Sequence, residues 1–251
     1  MNIVRFLMLA LAGIYCSLIF ANDKATKTTP MQDRKIVFSI PAESKDDLSF
    51  KLSAKLLNEI SKKTGEEIEL TILPPDKASL MLEAGRIDAE IARIKEYAYP
   101  SGGLIMANEP VATIPFYAYS TNKELDATNI DGLKNLRIVS VKGQIFSNVL
   151  FKEHILFQVD SVKSGLLHLY KDKADIFVTD GLTAHKISQA IDINELGIYR
   201  LEPPIAVTNV YTFFNQKHAK FAKRYEKALI ELKKEGIYEK IYKEQVINNP
   251  M

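Results

Sequence analysis

The segment "GRIDAEIARI", residues 85–94, carries Glu90 and Arg93 in a run of Ala and Ile that is typical of a buried strand. Charged side chains are rarely buried without a partner or a function. A guanidinium suits bidentate recognition of a carboxylate or phosphate group. Arg93 is therefore a candidate ligand-binding residue. The alternative is a structural ion pair with Glu90 or Asp88.

Composition and motifs narrow the kinds of function. The 33 Lys and Arg residues nearly balance the 31 Asp and Glu residues, so no strong field attracts nucleic acid or anionic lipid. The sequence has no GxSxG, Walker-type or GxGxxG pattern. The four histidines lack metal-binding spacing, and His168 and His185 are expected on helix faces as ordinary residues. We predict no metal, no cofactor and no nucleic-acid partner. A discrete small-molecule site fits this composition.

The N-terminal segment has the layout of a secretory signal peptide. A basic residue precedes an apolar run, and the small Ala21 is followed by polar residues. We predict a signal peptide over residues 1–21 and a periplasmic mature protein without cysteine, which suits an oxidising compartment. A retained membrane span is the alternative, although the run is short for one. Cys16 lacks the small neighbours of a lipoprotein signal.

Strand and helix patterns alternate along the rest of the chain. "KIVFSI", "EIELTIL" and "IDAEIARI" are typical of strands, and Leu48, Leu52, Leu56 and Ile60 share one helical stripe between the first two. A second unit has the strands "LRIVSVKG", "ILFQVD" and "ADIFVTDG", with helices predicted over 144–153 and 162–170. Each unit is β-α-β-α-β, the pattern of a parallel sheet with flanking helices.

Two extended segments, "PVATIPFYAYSTN" and "PPIAVTNVYTFFN", follow the two units. We therefore predict an α/β fold with two lobes in a clamshell, each a mainly parallel sheet flanked by helices and joined by two extended hinge crossings. Lobe 1 comprises residues 34–116 and 211–251, and lobe 2 comprises residues 117–210. Final helices over 217–234 and 238–245 cover lobe 1. A single six-stranded doubly wound domain is the alternative.

The order of these segments resembles the type II periplasmic solute-binding proteins, in the group of polar-amino-acid receptors of ABC transporters (family 3). "MLEAGRIDAEIA", "DGLKNLRIVSVKG", "KADIFVTDGLTAHK" and "YEKALIELKKEGIYEKIYKE" carry the resemblance, which spans residues 35–244. It implies a ligand held between the lobes, where the loops at the carboxyl ends of parallel strands also converge. It further implies a monomer that presents a small solute to an ABC transporter or a sensor.

The resemblance also implies individual site residues. Asp180 falls where relatives place the carboxylate that binds a ligand ammonium group, and its alternative role is capping the next helix. Gly143 and Gln144 fall where relatives bind a ligand carboxylate with backbone N–H groups, and an ordinary strand-to-helix turn is the alternative. Tyr97 and Tyr117 lie near the inferred cleft or hinge, where they could stack on a ligand or simply pack.

One departure from the family pattern affects the ligand. The segment "EYAYPSGGL" lacks the Arg with which amino-acid receptors bind the ligand α-carboxylate. Arg93 could supply a guanidinium from another position, with Glu90 orienting it. We expect a binding protein for an amino-acid-like or carboxylated solute, and no enzyme. The alternative is a periplasmic enzyme on this scaffold, similar to cyclic-acid dehydratases, with Glu90 as its acid.

Overall fold

Two arrays of parallel strands, each flanked by helices, are joined through a pair of long antiparallel strands. The computed structural model describes residues 35–42, 44–98 and 102–247. The predicted signal peptide with Cys16 and the cleavage site at Ala21 lie outside these residues. The strands are β1 Ile36–Ile40, β2 Ile68–Ile72, β3 Ala89–Ile94, β4 Leu104–Met106, β5 Ala112–Ser120, β6 Ile138–Val141, β7 Leu156–Val159, β8 Ile176–Asp180, β9 Tyr199–Arg200 and β10 Ala206–Asn215. The helices are α1 Leu48–Thr64, α2 Pro75–Glu83, α3 Ile145–Leu150, α4 Val162–Tyr170, α5 Gly181–Ala190, α6 Ala219–Lys234 and α7 Ile237–Ile247.

The sheet order shows how the two arrays are connected. It runs β2-β1-β3-β10-β5-β8-β6-β7, with β4 beside β10 and β9 beside β5. Strands β2, β1 and β3 are parallel to one another, as are β7, β6 and β8. Two antiparallel strands, β10 and β5, separate the arrays. The predicted two-lobed α/β fold is confirmed, and the single doubly wound domain is wrong.

Each antiparallel strand serves both lobes. Strand β10 pairs with β5 over residues 206–210 and with β3 over residues 210–214. Strand β5 pairs with β10 over residues 112–116 and with β8 over residues 116–119. The two crossings are therefore continuous strands with ladder hydrogen bonds on either side of the junction. The lobe boundaries given above stay a prediction.

The first lobe has one large core under helices α1 and α6. Helix α6 buries Phe221, Tyr225, Ala228 and Leu232, a spacing that puts all four on one face. Phe38 of β1 contacts the rings of Phe221 and Tyr225 at centroid separations of 6.4 and 5.8 Å. The C-terminal helices thus cover lobe 1, as predicted.

The second lobe has a core on each face of its sheet. On one face, α4 and α5 pack over Val139 and Phe177. On the other, Phe116 stacks on Phe146 with centroids 3.8 Å apart. Helix α3 ends at Leu150, earlier than the predicted 153, because the chain turns there and His154 N–H donates to Phe151 O. In the described part of the chain, no helix is both long and apolar enough to cross a membrane.

Candidate functional site

A bulge in β3 determines where its two charged side chains lie. Residues three apart on a regular strand face opposite sides of the sheet. Here Glu90 pairs with Phe213 and Arg93 with Tyr211, so β3 holds one extra residue opposite β10. Ala92 lies in this bulge and has a φ of 65°, in the left-handed region. The bulge shifts the alternation of side chains by one residue, so that Glu90 and Arg93 reach the same side.

The two charges form a buried cluster with Tyr97. Arg93 Nε lies 3.3 Å from Glu90 Oε1, and the Tyr97 hydroxyl donates to Glu90 Oε2. The Arg93 guanidinium stacks over the Tyr97 ring at 4.2 Å from its centroid. Exposure is 0% for Glu90 and 6% for both Arg93 and Tyr97. The structure thus contains the ion pair with Glu90 that was weighed as the alternative role of Arg93.

This cluster is not saturated. Glu90 Oε1 and Arg93 Nη2 are buried without a hydrogen-bond partner. Burial raises the pKa of Glu90 above its usual value, although the charge of Arg93 and the Tyr97 hydroxyl act in the opposite direction. Burial also raises the pKa of Tyr97, and the neighbouring Glu90 charge adds to that effect. The cluster therefore retains capacity for one more polar partner.

Asp180 caps helix α5. The N–H groups of Leu182 and Thr183 donate to Asp180 Oδ1, each at 3.0 Å, and the Thr183 hydroxyl donates to Oδ2 at 2.8 Å. Both carboxylate oxygens are therefore engaged by the first turn of the helix. An ammonium group of a ligand would have to share an oxygen with these donors.

Gly143 and Gln144 form a tight turn against lobe 1. Gly143 has φ of 83°, and a Cβ there would lie 3.0 Å from Pro75 Cγ at the start of α2. Gln144 N–H donates to Val141 O at 3.2 Å, and its side-chain amide donates to Thr179. Ile145 follows and packs on the lobe 1 core. An apolar side chain thus contacts lobe 1 next to the turn where the resemblance places a ligand carboxylate.

A cavity of about 320 Å³ lies between the lobes beside the hinge. Val111 and the first four residues of β5 line one side of it, and the rest of the lining comes mainly from one face each of α1, α5 and α7. Ala92 and Gly181 also line it, and these residues adjoin Arg93 and Asp180. The two predicted residues therefore flank the cavity, and neither lines it. Of the six predicted site residues, Tyr117 alone belongs to the described lining.

Several polar groups of the lining interact within the protein. Tyr238 donates to Val111 O at 2.7 Å, and the Ser188 hydroxyl donates to His185 O at 2.7 Å. Arg200 stacks over Tyr117 at 4.7 Å and pairs with Glu202 at 2.8 Å. The remaining surface is mainly aliphatic and aromatic. Such a surface with few polar groups is typical of a small-molecule site.

An ion pair links the lobes at the mouth of this region. Lys186 Nζ of α5 lies 2.6 Å from Oδ1 of Asp47, which precedes α1. Together with the approach of Gly143 to Pro75, it shows that the lobes contact each other at two places. The structure therefore has the lobes in contact with each other.

Sequence reasoning missed most of the cavity lining. Gly181, His185 and Ser188 are spaced i, i+4, i+7 on α5, so helical periodicity could have placed them on one face. Leu48, Leu52 and Leu56 were predicted to share one stripe of α1, and these three residues line the cavity. No local sequence pattern indicated which helix faces of the two lobes would lie opposite each other at the cavity.

Comparison with solved structures identifies the architecture. The sensor domain of a histidine kinase with similarity to periplasmic binding proteins superposes with a TM-score of 0.69 at 17% identity, covering 85% of this chain and 96% of that one. The substrate-binding protein of an amino acid ABC transporter gives 0.65 at 18% identity, over 84% and 99% of the two chains. The fold is that of the type II periplasmic solute-binding proteins.

In this solute-binding fold, the cavity lies between the lobes and next to the crossing strands. An uncharacterized protein of Shewanella oneidensis (strain MR-1) is 22% identical over 219 residues, which are 84% of this chain and 81% of that protein. A comparison with protein-family models found no match. These likenesses establish the fold, and the ligand has to be argued from the chain's own residues.

Proposed function

We propose that this chain is a periplasmic solute-binding protein that captures a small molecule between its lobes. The observation that carries the proposal is the cavity of about 320 Å³ lined by both lobes, a volume within the usual range of ligand pockets. Two continuous strands connect the lobes, which favours hinge bending about the crossings. Since contacts to both lobes form only in the closed state, ligand binding stabilises that state.

The partner of such a protein is an ABC transporter or a sensor. The two similar structures support these two partners, because one is the receptor of an amino acid transporter and the other is a kinase sensor domain. We propose that the chain acts as a monomer and is exported through a signal peptide, residues 1–21, that is then cleaved.

For the solute we propose a molecule with an acidic group. Arg93 is our candidate for that group, because Nη2 is buried without a partner and the residue flanks the cavity. Tyr97 and Glu90 hold the guanidinium in place. Asp180 serves first as a helix cap, so an amine on the solute is a secondary expectation.

We propose binding without catalysis. An elimination reaction of the dehydratase type needs a general acid within reach of the substrate. Glu90 has a raised pKa, which suits an acid, but its side chain does not line the described cavity and already accepts from Tyr97. Turnover of prephenate-like acids by the purified protein would overturn this part of the proposal.

A thermal-shift screen tests the function directly. The panel contains amino acids, organic acids and polyamines, and a solute at about 100 times its Kd stabilises the protein by about 2.7 kcal/mol. We expect at least one hit, and we expect small-angle scattering to show a smaller radius of gyration with that solute. The proposal fails if no solute in the panel binds, or if a hit binds without compaction.

A pair of variants locates the bound solute. Leu52→Trp fills the cavity from α1 and should abolish binding. Leu80→Trp is the matched control, because Leu80 lies on α2, is 69% exposed and does not line the cavity. Equal affinity of the two variants would place the solute elsewhere. Arg93→Met, compared with Asp180→Asn, then shows which of the two charged residues contributes to binding.

A further inference from the structure

One buried polar group at the interlobe cavity lacks a partner. His185 lines the cavity from α5 and is 8% exposed, and its Nε2 has no hydrogen-bond partner. Within the described residues, it is the one unpartnered buried side-chain atom that belongs to the lining. Buried polar groups are nearly always hydrogen-bonded, and an exception calls for an explanation such as a missing ligand. The sequence had indicated no role for His185.

The charges of the lining select the kind of ligand. Its ionisable groups other than tyrosines are His185 and Arg200, both hydrogen-bond donors when protonated. No Asp or Glu is among the described lining residues, so an ammonium group would find no counter-charge there. The lining also includes the apolar side chains of Leu48, Leu52 and Leu182. A cation or a zwitterion would lose its hydration without compensation.

We infer that the cavity binds an apolar organic acid, a monocarboxylate with a hydrocarbon or aromatic body. In this inference His185, which lines the cavity, donates to the carboxylate in place of Arg93, which only flanks it, and α1, α5 and α7 enclose the apolar part. This inference rests on the proposed function, and it replaces the amino-acid-like solute by one without an amine. The carboxylate satisfies the histidine nitrogen, and burial of the body supplies the main driving force.

Matched probes test the ligand class. Phenylacetate and hexanoate are titrated calorimetrically alongside their amides and the corresponding primary amines, with phenylalanine as the zwitterion. We expect at least one of the acids to bind at least about 10-fold more tightly than its amine and than phenylalanine. The amine lacks the carboxylate that accepts from His185, and phenylalanine would bury an ammonium group without a counter-charge. Amines or phenylalanine binding as tightly as the acids would overturn the inference.

Variants assign the effect to His185. His185→Leu should weaken binding of the acid at least about 10-fold while circular dichroism shows an intact fold. His168→Leu on α4 is the matched control, because His168 lies outside the lining. This variant should bind the acid as tightly as the wild type. If His185→Leu does not fold, Leu52→Trp must abolish acid binding instead. Unchanged affinity in the folded His185→Leu, or in Leu52→Trp, contradicts the inference.

The outcomes distinguish a failure of the proposed ligand class from a failure of the proposed binding function. A solute of another class that binds with compaction, while neither acid binds, leaves the binding protein in place and overturns the ligand class. Absence of binding by every probe and every member of the broad panel overturns both.

Discussion

Asp88 and Glu90 are two residues apart and both are fully buried, but their carboxyl groups differ in how many donors they accept from. Asp88 Oδ2 accepts from Val37 N–H at 2.9 Å, and Oδ1 accepts from His218 Nε2 at 2.8 Å and lies 3.0 Å from Lys217 Nζ. Glu90 has the Tyr97 hydroxyl on one oxygen and only the 3.3 Å approach of Arg93 on the other.

The difference appears in the direction of the two pKa shifts. Burial would raise the pKa of Asp88, but the donors Val37, Lys217 and His218 together outweigh it and lower that pKa. For Glu90, burial prevails and the pKa is raised. A saturated buried charge ties β1, β3 and the start of α6 together. In the Glu90–Arg93 pair, by contrast, Glu90 Oε1 and Arg93 Nη2 are left without a hydrogen-bond partner.

The largest effect is expected from Asp88→Asn. The substitution removes the negative charge and leaves Lys217 and its neighbours without their counter-charge, so we expect a loss of about 3 kcal/mol in the free energy of unfolding. This value is at the low end for a buried pair because Lys217 is half-exposed and can turn to water. Urea unfolding at pH 7 measures it, with the exposed Asp46→Asn as a control that should change little. A loss below about 1 kcal/mol would show that this cluster does not stabilise the fold.

The Glu90–Arg93 pair should behave differently on mutation. Arg93→Met leaves Glu90 buried without its counter-charge, and we expect a loss of about 2 kcal/mol because the carboxyl can take up a proton instead of staying charged. The double variant Glu90→Gln/Arg93→Met should be within about 1 kcal/mol of the wild type, since it removes both charges. A double-mutant cycle by urea unfolding checks this. Additive losses in the double variant would contradict a direct interaction between the two.

The overall fold was within reach of the sequence because its signals are local. The alternation of strands and amphipathic helices, such as the Phe221 to Leu232 face of α6, identified both lobes and their crossings. The short strands β4 and β9 were missed, since two or three residues carry no periodicity. The ion pair of Arg93 with Glu90 was foreseen as one of two roles.

The candidate site was less predictable because its determinants are not local. A bulge at an Ala has no sequence signal, whereas Gly or Asn at Ala92 would have indicated a left-handed residue. The cavity forms where α1, α5 and α7 meet, and these helices are far apart in sequence. The sequence therefore directed attention to charged residues that flank the cavity, and the histidine that lines it was passed over.

The two carboxyls should give stability opposite pH dependences. Asp88 has a lowered pKa in the folded state, so its contribution is present above the unfolded value of about 4 and is lost as pH falls through the folded pKa. Glu90 has a raised pKa, so its favourable state is present below about 4 and is lost as pH rises through the folded pKa. Relative to wild type, Glu90→Gln should therefore gain stability as pH rises, and Asp88→Asn should recover as pH falls. Melting temperatures of wild type and both variants, measured from acid to neutral pH, check this. If both variants change in the same direction relative to wild type as pH rises, these assignments are wrong.

The smallest effect is expected at the bulge that separates the two clusters. An Ala at φ of 65° costs about 1–2 kcal/mol relative to a right-handed conformation, which Gly avoids. Gly in turn costs about 0.5–1 kcal/mol in chain entropy. The two nearly cancel, so Ala92→Gly should leave the free energy of unfolding within about 1 kcal/mol of the wild type or slightly raise it. The bulge, and with it the Glu90–Arg93 contact, would be retained.

Ala89→Gly is the matched control for this prediction. Ala89 lies on the same strand, is fully buried and does not have a positive φ. Gly at this position increases the entropy of the unfolded chain and removes a buried methyl group, and it relieves no backbone strain. We expect it to cost at least about 1 kcal/mol. Urea unfolding of the two variants side by side measures the difference. If Ala92→Gly costs as much as Ala89→Gly, residue 92 is not in the left-handed conformation, and the contact between Arg93 and Glu90 needs an explanation other than the bulge.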